Sequence, residues 1–122
     1  MKKIIHIIPN LNAGGAEATL VKLVNKDINN LHYIITFTEG DDFAKRITNQ
    51  KCRFKKIIIN NFNFITNLLL VRKEIINYKP NYIHCWMTYA SLIGFIVSIF
   101  FKTKIIWSIR TALPKTMSEL FY

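Results

Sequence analysis

The chain has 122 residues, 51% hydrophobic and 20% charged, with only 4 Gly and 3 Pro. That composition excludes a disordered or low-complexity polypeptide and points to one globular domain over residues 1–122. Its 17 Lys+Arg against 7 Asp+Glu give a formal net charge of +10, which favours anionic partners such as nucleotide phosphates or anionic lipid; a general enrichment in Ile, Asn and Lys is the competing source of that charge.

In chain order, Ile4 to Ile8 reads as a buried strand, short and β-branched, stopped by Pro9. A polar connection leads to Gly14-Gly15. They open a helix whose apolar residues Leu20, Leu23, Val24 and Ile28 recur at three- and four-residue steps. Residues His32–Thr38 form a second strand, closed by Glu39-Gly40, and 41–50 form a short helix with acids first and bases after. Residues 54–60 give a third strand. A helix follows with Phe64, Leu68, Val71, Ile75 and Tyr78 on one stripe, stopped at Pro80. Residues 81–86 are a fourth strand, Ala90–Phe101 a greasy helix, and 104–110 a fifth strand. The greasy segment falls short of the roughly 20 residues a bilayer span needs, and the amino terminus lacks the apolar length of a signal peptide.

Strands and helices alternating in this way predict an α/β fold. The expectation is a Rossmann-like, doubly wound parallel sheet of about five strands with helices on both faces. Ligands of such sheets bind outside the carboxyl ends of the strands, which selects Asn10 to Gly15, Glu39-Gly40, His84 to Trp86 and Arg110-Thr111. Strand, glycine turn and helix start together aim backbone N–H groups at an anion. Gly14-Gly15 is not a Walker loop, since no Gly-Lys-Ser/Thr follows, and it lacks the third glycine of G-x-G-x-x-G. Glu39 is placed where a dinucleotide site wants its acid, so an NAD-binding domain stays as a third reading. Cys52 and Cys85 have no C-x-x-C spacing; no metal site is expected, and a reducing, cytoplasmic compartment fits.

The "GGAE" helix start behind "IIPNLNAGG", the "KPNYIHCW" strand and the "KIIWSIRT" strand, in this order, resemble family 4 glycosyltransferases. These are retaining enzymes of the GT-B fold, and the likeness is to their N-terminal, acceptor-side half. The resemblance implies a nucleotide diphosphate sugar as donor substrate, no further cofactor, and a saccharide or lipid-linked acceptor in cell-envelope polysaccharide synthesis. It puts the donor diphosphate at Gly14 and Gly15, where the absence of a side chain lets the backbone approach phosphate. Many members carry a His after the fifth strand; the matching residue here is Arg110, a candidate for contact with donor sugar or phosphate. Asn12, His84, Trp86, Tyr89 and Thr111 are acceptor- or sugar-facing candidates. For His84, Trp86 and Tyr89 a place in the core is the simpler alternative, and helix-dipole stabilisation accounts for Glu17.

Lys45, Arg46, Lys51, Arg53, Lys55 and Lys56 form a basic cluster that either holds the domain to an anionic membrane surface, at about 1 kcal/mol per charge, or is an ordinary solvated face. No nucleic-acid-binding motif accompanies it. Nothing in the sequence resembles the family's donor-binding C-terminal half. The expectation is therefore a domain incomplete at its carboxyl end and inactive alone, either partnered by a separately encoded half or a non-catalytic remnant or membrane-surface module.

Overall fold

The computed structural model describes residues 1–12, 14–60, 62–86 and 93, and the backbone of 104–108. Strands β1 (Lys3–Ile8), β2 (Leu31–Thr36), β3 (Arg53–Lys56), β4 (Tyr82–Trp86) and β5 (Lys104–Ser108) form one sheet, all parallel, in the order β3-β2-β1-β4-β5. Helices α1 (Gly15–Lys26) and α2 (Phe64–Tyr78) make the long crossovers, and a single 3-10 turn covers Asp42–Arg46. The α/β expectation with a parallel sheet holds. The expected helix over 90–101 and the residues Tyr89, Arg110 and Thr111 lie outside the described residues, Ile93 apart.

Successive strand residues point to opposite faces, and the core divides accordingly. Ile5 and Ile7 of β1, Tyr33 and Ile35 of β2, and Ile83 and Cys85 of β4 pack with Val71, Ile75 and Tyr78 of α2, joined by Phe37, Ile57 and Ile93. Ile8, Ile34 and Trp86 pack with Leu11 and with Leu20 and Val24 of α1. α1 buries Glu17, Leu20, Val21 and Val24, so its inward stripe is turned from the expected one. Leu23 is exposed because the helix lies on the sheet through its 17-20-21-24 edge, and Ile28, expected on the same stripe, lies beyond the end of α1 and is exposed as well. On α2, Val71, Ile75 and Tyr78 are buried as expected, while Phe64 faces out.

Each boundary has a local cause. Pro9 ends β1, and its carbonyl accepts from the N–H groups of Phe37 and Thr38, which bends β2 out of the ladder two residues before the expected end. Lys79 closes α2 in the left-handed conformation at φ 54°, its N–H donating to the Ile75 carbonyl, and Pro80 bars continuation. Beyond β3, the Ile57 and Ile59 N–H groups still donate to Thr36 and Phe37, so the chain follows β2 further than regular pairing does.

Candidate functional site

At the carboxyl ends of β1 and β2 two loops are tied into one surface. Besides the bonds to the Pro9 carbonyl, Leu11 N–H donates to the Gly40 carbonyl, 3.0 Å, and Thr38 Oγ1 donates to the Pro9 carbonyl, 2.7 Å. The Asn10 amide donates to Thr38 Oγ1 at 3.3 Å, and Asn10 Oδ1 accepts from the Asn12 N–H at 3.0 Å, an Asx turn that sets the direction of the chain into the glycine pair. Gly40 has φ +119°, and a Cβ there would collide with the half-buried Asn12 amide. Only glycine serves at that contact.

Gly14 is the N-cap of α1, extended and with no side-chain cap, and both glycines are exposed. A Cβ on Gly15 would meet nothing within 4 Å: the first turn opens to solvent there, with N–H groups carrying the positive end of the helix dipole. One internal anion already lies close. The Glu17 carboxylate folds back over Gly14, where an added Cβ would strike it. Glu17 is buried, which raises its carboxyl pKa, and a bond from its own backbone N–H works in the opposite sense.

Trp86, at the carboxyl end of β4, is 3% exposed. Its ring is stacked at 4.2 Å on His84 and its indole Nε1–H donates to His6 Nδ1 at 3.1 Å. It belongs to the core, and no face is left for a sugar ring. His84 is half-buried between Trp86 and His6. All three histidines of the chain thus gather on the α1 side of the sheet. His6 Nε2 lies 2.8 Å from His32 Nδ1, and His32 Nε2 lies 2.9 Å from Asp27 Oδ2. Asn30 also donates to Asp27 Oδ2, at 2.9 Å. Burial, with His84 and His32 beside it, holds His6 well below the ordinary imidazole value of 6.5. The bonds from Asn30 and His32 hold Asp27 below the usual carboxylate range.

Sequence reasoning singled out His84 and Trp86 but missed His6, His32 and Asp27. The available signal was three polar rings at matching parity in otherwise apolar strands; the parallel register, Ile4 opposite His32 and His6 opposite His84, was not legible. Among the described residues no group of three or more His, Cys, Asp or Glu side chains is arranged to hold a metal ion. The thiols are unpaired, with burial pushing Cys52 up to about 11 and Cys85 up to about 12, so neither is a ready nucleophile.

The basic cluster runs along the 3-10 turn and edge strand β3. Lys45, Arg46, Lys51, Arg53, Lys55 and Lys56 are all exposed, but several are engaged. Lys55 pairs with Glu74 at 2.7 Å, Lys56 with Glu39 at 3.2 Å, and the Arg46 and Arg53 guanidiniums lie over the Phe43 and Tyr33 rings. Glu39, the acid a dinucleotide ribose would want, is thereby turned toward β3. No helix among the described residues is long and apolar enough to cross a membrane.

No protein-family model matches the chain, and no curated protein matches it.

Proposed function

We propose that the chain is the acceptor-side half of a retaining glycosyltransferase, one that moves a sugar from a nucleotide diphosphate sugar to a saccharide or lipid-linked acceptor. The observation that carries the reading is the α1 N-terminus, without a side-chain cap at Gly14 and open to solvent at Gly15, beside the carboxyl end of β1. Strands order away from β1 in both directions, toward β2 and toward β4, and the crevice at such a reversal is where α/β sheets hold ligands. The strand order, with α1 and α2 serving different core clusters, supports a Rossmann-like, doubly wound half of a GT-B fold. Gly14 and Gly15 face the donor diphosphate, and Asn12, two residues before Gly14, and His84 keep their places as acceptor-side candidates. Arg110, Tyr89 and Thr111 keep the roles the resemblance gives them. A half domain cannot surround a transition state, so turnover requires a donor-binding half as well, in the cytoplasm where nucleotide sugars are made.

The test is a titration with nucleotide diphosphate sugars, followed through the backbone amide resonances of Gly14 and Gly15. Selective shifts at these amides, abolished in Gly15→Val, support the reading. Equal response to NAD would favour the dinucleotide alternative, and no response to either removes donor binding from this chain.

One observation favours a second reading, a module for anionic membrane surfaces. All four residues of edge strand β3 are exposed and three are cationic, and the neighbouring helix α2 exposes Ile65, Leu69, Leu70 and Ile76. Salt-sensitive binding to anionic vesicles without affinity for nucleotide sugars would establish it.

A further inference from the structure

The hydrogen-bonded chain Trp86–His6–His32–Asp27, buried except at Asp27, has only one consistent arrangement of protons. An indole nitrogen can only donate, so His6 Nδ1, 3.1 Å away, must be the bare, accepting nitrogen. Neutral His6 then carries its proton on Nε2 and donates to His32 Nδ1 across 2.8 Å. His32 Nδ1 is in turn bare, its proton is on Nε2, and it donates to the Asp27 carboxylate across 2.9 Å. Every bond points the same way, from indole to carboxylate. The chain crosses β4, β1 and β2 and joins the carboxyl end of β4 to Asp27, which caps the carboxyl end of α1.

Neither imidazole of this one-way chain accepts an extra proton without losing a bond. Protonation of His6 puts an N–H on Nδ1, facing the indole N–H; donor meets donor, and Trp86 loses its acceptor. Protonation of His32 does the same to the bond from His6. From these bonds we infer that the chain is a pH-operated latch: at neutral pH it holds Trp86 and the end of β4 against β1, and His6 protonation releases them.

The groups around His6 set where this happens. Burial opposes its protonation most, and His84 on β4 and His32 on β2 oppose it electrostatically. Asp27, at the end of α1, reaches it only through His32. On α1 itself Lys22 and Lys26 are exposed and Glu17 is folded over Gly14. The latch rests on hydrogen-bond geometry alone and does not depend on the proposed glycosyltransferase reading.

The deciding experiment is nitrogen-15 NMR of the labelled histidine rings in the unaltered chain, with pH. The expected result at neutral pH is the Nε2–H tautomer at both His6 and His32. His6 should then gain Nδ1–H at a midpoint below 6.5, together with a shift of the Trp86 indole resonance and no loss of far-UV helical signal. In Trp107→Phe, where Trp86 is the only indole, its fluorescence should follow the same midpoint. Asp27→Asn should move that midpoint down, by removing the anion that stabilises the chain's positive charge, and His84→Gln should move it up. An Nδ1–H tautomer at His6 at neutral pH would overturn the latch. So would an indole signal that stays flat until the helical signal collapses, or a midpoint unmoved in both variants.

Discussion

The two faces of the sheet are built on different physics. On the α2 face, Ile5, Ile7, Ile35, Val71, Ile75 and Ile83 form an apolar layer held by surface removed from water. Its polar atoms sit at the margin, where the Tyr33 hydroxyl donates to Glu74 Oε2 at 2.8 Å. On the α1 face, a comparable apolar layer of Ile8, Leu20, Val24 and Ile34 shares its space with His6, His32 and the indole nitrogen of Trp86. The two imidazoles and the indole are tolerated there because each finds a partner, and that network fixes one arrangement of side chains. The difference teaches that one face should respond to volume, whereas the other should respond to hydrogen bonding and pH.

Four measurements break or sharpen that contrast. The largest effect is expected at Ile75, 2% exposed in the centre of the α2 face. Ile75→Ala should cost about 3 kcal/mol in denaturant unfolding, through lost burial and the cavity left behind, by the same amount at neutral and mildly acid pH. A loss that varies with pH would break the division between the faces.

Next comes His6→Leu, which keeps much of the volume but leaves the Trp86 indole N–H without its acceptor and His32 Nδ1 without its donor. Orphaning buried polar groups should cost about 2 kcal/mol. An unchanged unfolding midpoint would mean that packing, not hydrogen bonding, decides this face.

The pH dependence of the unaltered chain is smaller near neutrality and has a fixed sign. His6 is depressed in the folded state, so the unfolded chain binds the proton more readily. Its contribution is fully present above the ordinary 6.5 and is lost as pH falls through that value toward the depressed folded one. Asp27 is also depressed, and its contribution is present above 3.8 and lost only as pH falls below that. The unfolding midpoint is expected to begin falling as pH drops below 6.5 and to fall more steeply below 3.8, and His6→Leu should remove the part that begins at 6.5.

The smallest effect, and the only gain, is expected at Thr36. Its Oγ1 is buried without a hydrogen-bond partner, the sole such side-chain atom among the described residues. Thr36→Val removes that cost at nearly constant shape and should raise stability by about 1 kcal/mol or less. A loss of stability instead would show that the hydroxyl has a partner, such as an ordered water.

The periodic runs were legible because burial on both faces of a parallel sheet demands continuous apolar strands. Ile4–Ile8 and the Val71-Ile75-Tyr78 stripe announce themselves in this way. The α1 stripe differs from the expected one at Leu23 because several apolar arcs compete on that helix and only docking on the sheet selects one, and at Ile28 because the helix ends at Lys26. Gly14-Gly15 could be placed at a helix start from sequence; that Glu17 lies across it, and that Gly15 stays open, depends on how the first turn meets the loop from Pro9.

The sequence alone determined the alternation of strands and helices and the parallel sheet that follows from it, because those depend on local periodicity and on Pro and Gly. The tertiary structure alone decided what the histidines do. His6 and His32 are 26 residues apart, and Trp86 is 80 from His6. They meet only because parallel pairing sets β2 and β4 beside β1 in one register, and a slip of one residue would turn their side chains to the opposite face.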